Sequence, residues 1–139
     1  MVQPPNSGTR DSRPFGRRRK DEQKEELRRL ILNAASELFV EMGYGSFSMR
    51  QLAQRIGYAP ATLYLYFRGK DQLLFSVLDD AFTRFRDELA RAAAGTGDPW
   101  ERLSRIGDAY IRFGLTHPFY YQVMFMWRAD YLVQSKQGE

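Results

Sequence analysis

An all-α fold is predicted for this chain of 139 residues by two observations. Apolar residues recur at three- and four-residue steps over long stretches, which gathers them on one side of a helix. Those stretches are separated by helix punctuation, with Ser, Asp or Pro where each opens and Gly where it stops. The length suits one small domain, or a small domain plus part of another, and a composition that is 43% hydrophobic and 14% aromatic supplies ample material for a core.

The chain opens on "MVQPPNSGTRDSRPFGRRRK", rich in Pro, Gly, Ser and Arg. Such a segment buries too little apolar surface to offset the entropy of ordering it, so residues 1–22 are expected to form a disordered basic tail. Its closing "GRRRK" reads either as a solubilising run or as an arm that touches nucleic acid. The tail lacks the apolar centre of a signal peptide, and nowhere does an uninterrupted apolar run approach the roughly 18 residues of a membrane span. A soluble, cytoplasmic protein with no membrane partner is expected. There are no cysteines, which excludes disulfides, thiolate metal sites and cysteine nucleophiles.

From Asp21 the pattern turns helical, with Leu27, Leu30, Ile31, Ala34, Ala35, Leu38, Phe39 and Met42 on one stripe and Gly43 and Gly45 ending it. "SMRQLAQRIG" follows. Ser48 and Gln51 stand at capping-box spacing, Met49, Leu52, Ala53 and Ile56 point one way, and Gly57 stops the helix. A third, very short helix starts at Pro60, whose fixed backbone angle and missing amide suit a first helical position. Two short helices joined by a Gly-containing turn, with a longer helix before them, have the helix-turn-helix layout.

Charge follows this layout. Residues 44–70 contain Arg50, Arg55, Arg68 and Lys70 and no acidic side chain, whereas residues 21–43 carry a net charge of −3. An element that meets a polyanion gains from those cations and loses from any carboxylate. With Leu63 and Phe67 facing inward, Thr62, Tyr64 and Tyr66 are expected mostly outward, where hydroxyls reach phosphate oxygens or base edges. A small helical core with aromatic packing and an incidentally basic face is the alternative that spacing and charge leave open.

The stretch "ILNAASELFVEMGYGSFSMRQLAQRIGYAPATLYLYFRGKDQLLFSVLDDAF", residues 31–82, resembles the DNA-binding domain of the TetR family of transcriptional regulators, including the "TLYxYF" signature and its trailing lysine. The resemblance implies a three-helix DNA-binding bundle over residues 23–70, in which the short third helix enters the major groove of double-stranded DNA. Carried over by position, it assigns DNA contacts to Ser48, Arg50, Ala61, Thr62, Tyr64, Tyr66 and Lys70. Two departures stand out: Ala59 occupies a place usually held by a capping Ser or Thr, and Pro60 one where a Lys or Arg is frequent.

The resemblance implies that residues 71–139 hold the long connecting helix and a partial helical C-terminal domain concerned with effector binding and dimerisation. The connecting helix carries Leu74, Val77, Leu78, Ala81, Phe82, Phe85 and Leu89 along one side. "GTGDPWERL" then breaks and restarts the chain, with Asp98 as cap, Pro99 first and Glu101 at the capping-box site. The fifth helix carries Leu103, Ile106, Tyr110 and Phe113 and ends at "THPFYYQVMFMW". The aromatic and methionine side chains of this last segment read either as ordinary core or as the wall of an apolar pocket. On the second reading Tyr110, Phe113, Tyr120, Met124 and Trp127 face a small hydrophobic effector.

His117 is the single histidine, and before a proline it reads as a helix-boundary residue. One histidine builds neither an acyl-transfer triad nor a histidine metal site, and the adjacent carboxylates Asp79 and Asp80 do not face one another on a helix. A non-enzymatic protein without cofactor or metal is therefore expected. The resemblance implies a repressor that leaves a pseudo-palindromic operator when an effector binds, and a homodimer paired through helices near the C-terminus of longer chains. For these 139 residues a monomeric or weakly associating state is expected.

Overall fold

The computed structural model describes residues 15–95 and 97–126. The elements are α1 (Phe15–Ser46), α2 (Met49–Ile56), α3 (Pro60–Tyr64), α4 (Lys70–Ala93), α5 (Pro99–Thr116) and α6 (Pro118–Tyr121), followed by a π-helical turn over Gln122–Met126. The architecture among the described residues is all-α, as expected. None of these helices is long and apolar enough to cross a membrane.

Helix α1 begins at Phe15, so residues 15–22, expected within the disordered tail, are its first turns, and residues 1–14 lie outside the described residues. The physical reason is in the spacing: Arg and Lys are good helix formers, and Arg17 with Asp21 and Arg18 with Glu22 stand four apart, where opposite charges support a helix. At the other end Gly43 breaks the helical path with φ 74° and ψ 166°, a conformation open essentially to glycine alone. One more turn follows before Ser46. Within α1, Ile31, Leu32, Ala35, Leu38 and Phe39 are buried, whereas Leu30 is 44% exposed.

Helix α2 forms as its punctuation predicts. The Ser48 hydroxyl accepts from the Gln51 amide at 3.1 Å and the Gln51 side chain accepts from the Ser48 amide at 3.1 Å, closing the box. Gly57 ends the helix in the left-handed region at φ 75°. Phe39 stacks on Phe47 at 4.0 Å between centroids, which pins the α1–α2 turn to the core.

Helix α4 buries Leu73, Val77 and Ala81. Val77 and Ala81 lie on the expected stripe, but Leu74 and Leu78 are only partly buried and Phe82 is 44% exposed, so the stripe is centred toward Leu73. In α5 the Asp98 carboxylate accepts from the Trp100 amide at 3.1 Å, while Glu101 reaches Arg105 at 2.8 Å. Phe113 is fully buried, but Leu103 is 60% exposed.

One continuous buried cluster joins Ile31, Leu52, Leu63, Leu73, Val77, Phe113, Tyr120 and Val123. It runs across residue 70, where the sequence places a domain boundary, so α1 and α4 are shared by both halves of the molecule.

Candidate nucleic-acid interface

The turn between α2 and α3 is three residues long, from Gly57 to Ala59. The amides of Gly57 and Tyr58 fold back onto the carbonyls of Gln54 and Ala53 at 3.4 and 3.0 Å, satisfying the last carbonyls of α2. Ala59 offers α3 no side-chain cap, and the helix spans only Pro60 to Tyr64. Its hold on the molecule comes from Leu63 and Phe67, one turn apart and 0% and 2% exposed, with the backbone turning helically as far as the Phe67 amide, which donates to the Leu63 carbonyl at 3.0 Å.

Those two anchors fix the outer face. A helix advances about 100° per residue, so Ala61 and Leu65 stand roughly 160° from Leu63 on either side of the crest. Thr62 with Tyr66 lie on one flank, both half-buried, and Tyr64 lies on the other, exposed. The expectation that Thr62, Tyr64 and Tyr66 face mostly outward is therefore met in full by Tyr64 alone, because Tyr66 packs against the core. Ala61 is exposed as a crest residue should be. Leu65, absent from the expected contacts, is the most exposed large apolar side chain among the described residues, at 84%. Counting four residues on from Ala61 finds it.

The remaining expected contacts divide into committed and available groups. Ser48 is half-buried and its hydroxyl is engaged with Gln51. Lys70 donates to the Tyr44 carbonyl at 3.0 Å and lies 4.3 Å over the Tyr44 ring, tying the start of α4 to the end of α1. Arg55 is held bidentately by Glu41 at 3.1 and 2.7 Å. That bond keeps the Glu41 carboxyl below its usual range and the Arg55 guanidinium above its own. Arg50 and Arg68 are exposed in the same acid-free stretch.

A groove of about 610 Å³ lies beside this unit, between the first turns of α1 and the α2–α3 region, with Lys20, Lys24, Leu27, Tyr58 and Tyr66 among its walls. Lys20 and Lys24, with Glu26 on the same wall, thus share this groove with Tyr66 on the flank of α3.

In the other half, the residues expected to form an effector pocket have separate fates. Phe113 and Tyr120 are core, Met124 is packed against the core, Tyr110 is 39% exposed, and Trp127 lies outside the described residues. Tyr110 joins an aromatic group with Phe85, Tyr121 and Phe125, its hydroxyl 2.8 Å from that of Tyr121. Tyr120 does line a cavity of about 220 Å³ together with Asn33, Glu37 and His117. Its hydroxyl lies 2.9 Å from Asn33 Oδ1 and 3.1 Å from Asp80 Oδ2, so one side chain links α1, α4 and α6. Burial, with the nearby Asp80 charge, pushes the Tyr120 hydroxyl up to about 12, and it stays a donor throughout the neutral range. Asp80 is in turn paired with Arg84 at 3.0 Å.

Residues 31–77 match the family model described as bacterial regulatory proteins, tetR family. The chain is 35% identical over 86 residues to the HTH-type transcriptional regulator HbdR of Aromatoleum sp. (strain CIB), covering 62% of this chain and 38% of the relative. It is 39% identical over 83 residues to the HTH-type transcriptional repressor KstR of Mycolicibacterium smegmatis, covering 60% of this chain and 41% of that one. In structure it is similar to a TetR family transcription regulator from Marinobacter aquaeolei VT8, with a TM-score of 0.68 at 27% identity over 76% of this chain and 54% of the other. The chain thus spans about two fifths of the length of these two sequence relatives.

Proposed function

We propose, from the match of residues 31–77 to the tetR family and the likeness to its members, that the chain is a transcriptional regulator of that family that binds a pseudo-palindromic operator in double-stranded DNA. The observation that carries this reading is the presentation of α3. Leu63 and Phe67 bury one side of it, and its opposite side projects from a stretch, residues 44–70, that has no acidic residue. Tyr64 and the exposed Arg50 and Arg68 supply donors for phosphate oxygens, which hold the reading element in register without specifying sequence.

Two such elements held about one helical turn of DNA apart give tight binding, so the functional unit is a homodimer of the whole protein. The M. smegmatis relative is named a repressor, and the same sense of regulation is proposed here. The aromatic group around Tyr110 favours a small hydrophobic effector. Such a ligand acts by preferring the state in which the two elements are wrongly spaced, and operator affinity falls by the difference in its affinity for the two states.

An electrophoretic mobility shift tests the reading. Duplexes tiled across the DNA upstream of the gene are challenged with excess unrelated competitor at moderate salt. Retention of one tile is expected. Retention of every tile alike, or of none, would overturn specific DNA binding and favour a helical interaction protein.

A further inference from the structure

We infer that Leu65 reads thymine, by placing its side chain against the 5-methyl group in the major groove. This rests on the DNA-binding reading above and names a specificity residue within it. Leu65 lies on the crest of the α3 turn, opposite the buried Leu63 and Phe67, and is 84% exposed. Tyr64, beside it, is 52% exposed. Ala61, one turn earlier, shares the crest and adds only a methyl group. The part of the unit that reaches farthest from the core is therefore apolar, while the hydroxyls of Thr62, Tyr64 and Tyr66 stand on its flanks.

That distribution has a chemical consequence. An isobutyl group in a wet, anionic groove gains nothing from phosphate, sugar or the hydrogen-bonding edges of guanine, cytosine and adenine, and it strips water from any of them it touches. Thymine alone among the bases of DNA presents an apolar group in the major groove. Charge favours nucleic acid as the partner: residues 44–70 carry no acid, and Arg50 and Arg68 stand exposed within them, which suits a polyanion. The structure needs nothing from Leu65 in return, since it contributes to none of the buried cluster.

The test uses the whole protein as the homodimer proposed above. Duplexes enriched by it from a random-core pool are resynthesised with deoxyuridine replacing thymine one position at a time, which removes the methyl and leaves base pairing intact. Affinity is expected to fall about fourfold at one thymine in each half-site, the effect of one buried methyl-sized group, and to be unchanged elsewhere. Leu65→Ala is expected to lose a similar factor on the thymine duplex, to stop distinguishing thymine from deoxyuridine there, and to melt at the wild-type temperature. Enrichment followed by tolerance of deoxyuridine at every position would overturn the assignment of Leu65 and leave the DNA-binding reading intact. Undiminished discrimination by Leu65→Ala would do the same, assigning the methyl contact to another side chain. Failure to enrich any sequence would instead remove the DNA-binding reading, and this one with it.

Discussion

Helices α2 and α3 are neighbours across three residues, yet they are made in opposite ways. Helix α2 is specified by its own sequence: a closed capping box at Ser48 and Gln51, a left-handed glycine at position 57, and Met49, Leu52 and Ala53 buried on one side. Helix α3 has five residues, no side-chain cap at Ala59 and one buried residue, Leu63. A helix of that length has no stability of its own. It exists because Leu63 and Phe67 dock on a core that the other helices build. The outer face of α3 is therefore free to vary: its fold depends on two inward positions, and the exposed Ala61, Tyr64 and Leu65 are left open for recognition.

The comparison breaks if α3 tolerates loss of its anchor. Leu63→Ala is expected to cost about 2–5 kcal/mol, the range for a buried leucine, and to abolish specific DNA binding even where the protein stays folded. Urea unfolding and a mobility shift measure the two effects, and a loss below that of the next variant would show that α3 stands on local signals after all. Ser48→Ala removes the hydroxyl from the α2 box and is expected to cost about 1 kcal/mol, read as a lower urea midpoint with unchanged slope. Ala59→Ser offers α3 the cap it lacks. A gain of a few tenths to about 1 kcal/mol is expected, and a gain larger than the Ser48→Ala loss would reverse the ranking of local and tertiary control.

The smallest expected effect concerns the end of α2. Glu41→Gln releases Arg55 from its bidentate partner without disturbing a buried group, so melting should hardly move. The freed guanidinium is expected to strengthen binding to all duplexes alike and to steepen the dependence of log affinity on log salt by about 0.9, the increment for one added phosphate contact. Fluorescence anisotropy across a salt series decides it, and an unchanged slope would show that Arg55 points away from DNA.

What was legible in the sequence follows the same division. The capping box, the glycine stop at position 57, the start of α3 at Pro60 and the Asp98 cap of α5 are local signals, and each appears where its residues stand. The phase of α4 was not legible, because Leu73 and Leu74 are adjacent and apolar and only packing against α1 decides which is buried. The commitments of Lys70 to Tyr44 and of Arg55 to Glu41 join residues 26 and 14 positions apart, beyond the reach of any periodicity. Leu65 is hidden for a different reason: its side chain carries neither hydroxyl nor charge to mark a DNA contact, although the helical count from Ala61 places it on the crest. The helical start at Phe15 was hidden by composition, since a run of arginines reads as solvated tail until its acidic partners one turn later are weighed.

The bond between Tyr120 and Asn33 closes a contact across 87 residues, and its position along α1 makes that helix a lever. Asn33 is the fulcrum side of an arm that reaches back eighteen residues to Phe15, about 27 Å at 1.5 Å per residue. A tilt of about 10° at Asn33 would sweep the arginine-bearing end through about 5 Å over that length. Letting go of that one amide oxygen, on the exposed side of α1, would thus be amplified into a displacement wider than a hydrogen bond at the far end of the helix.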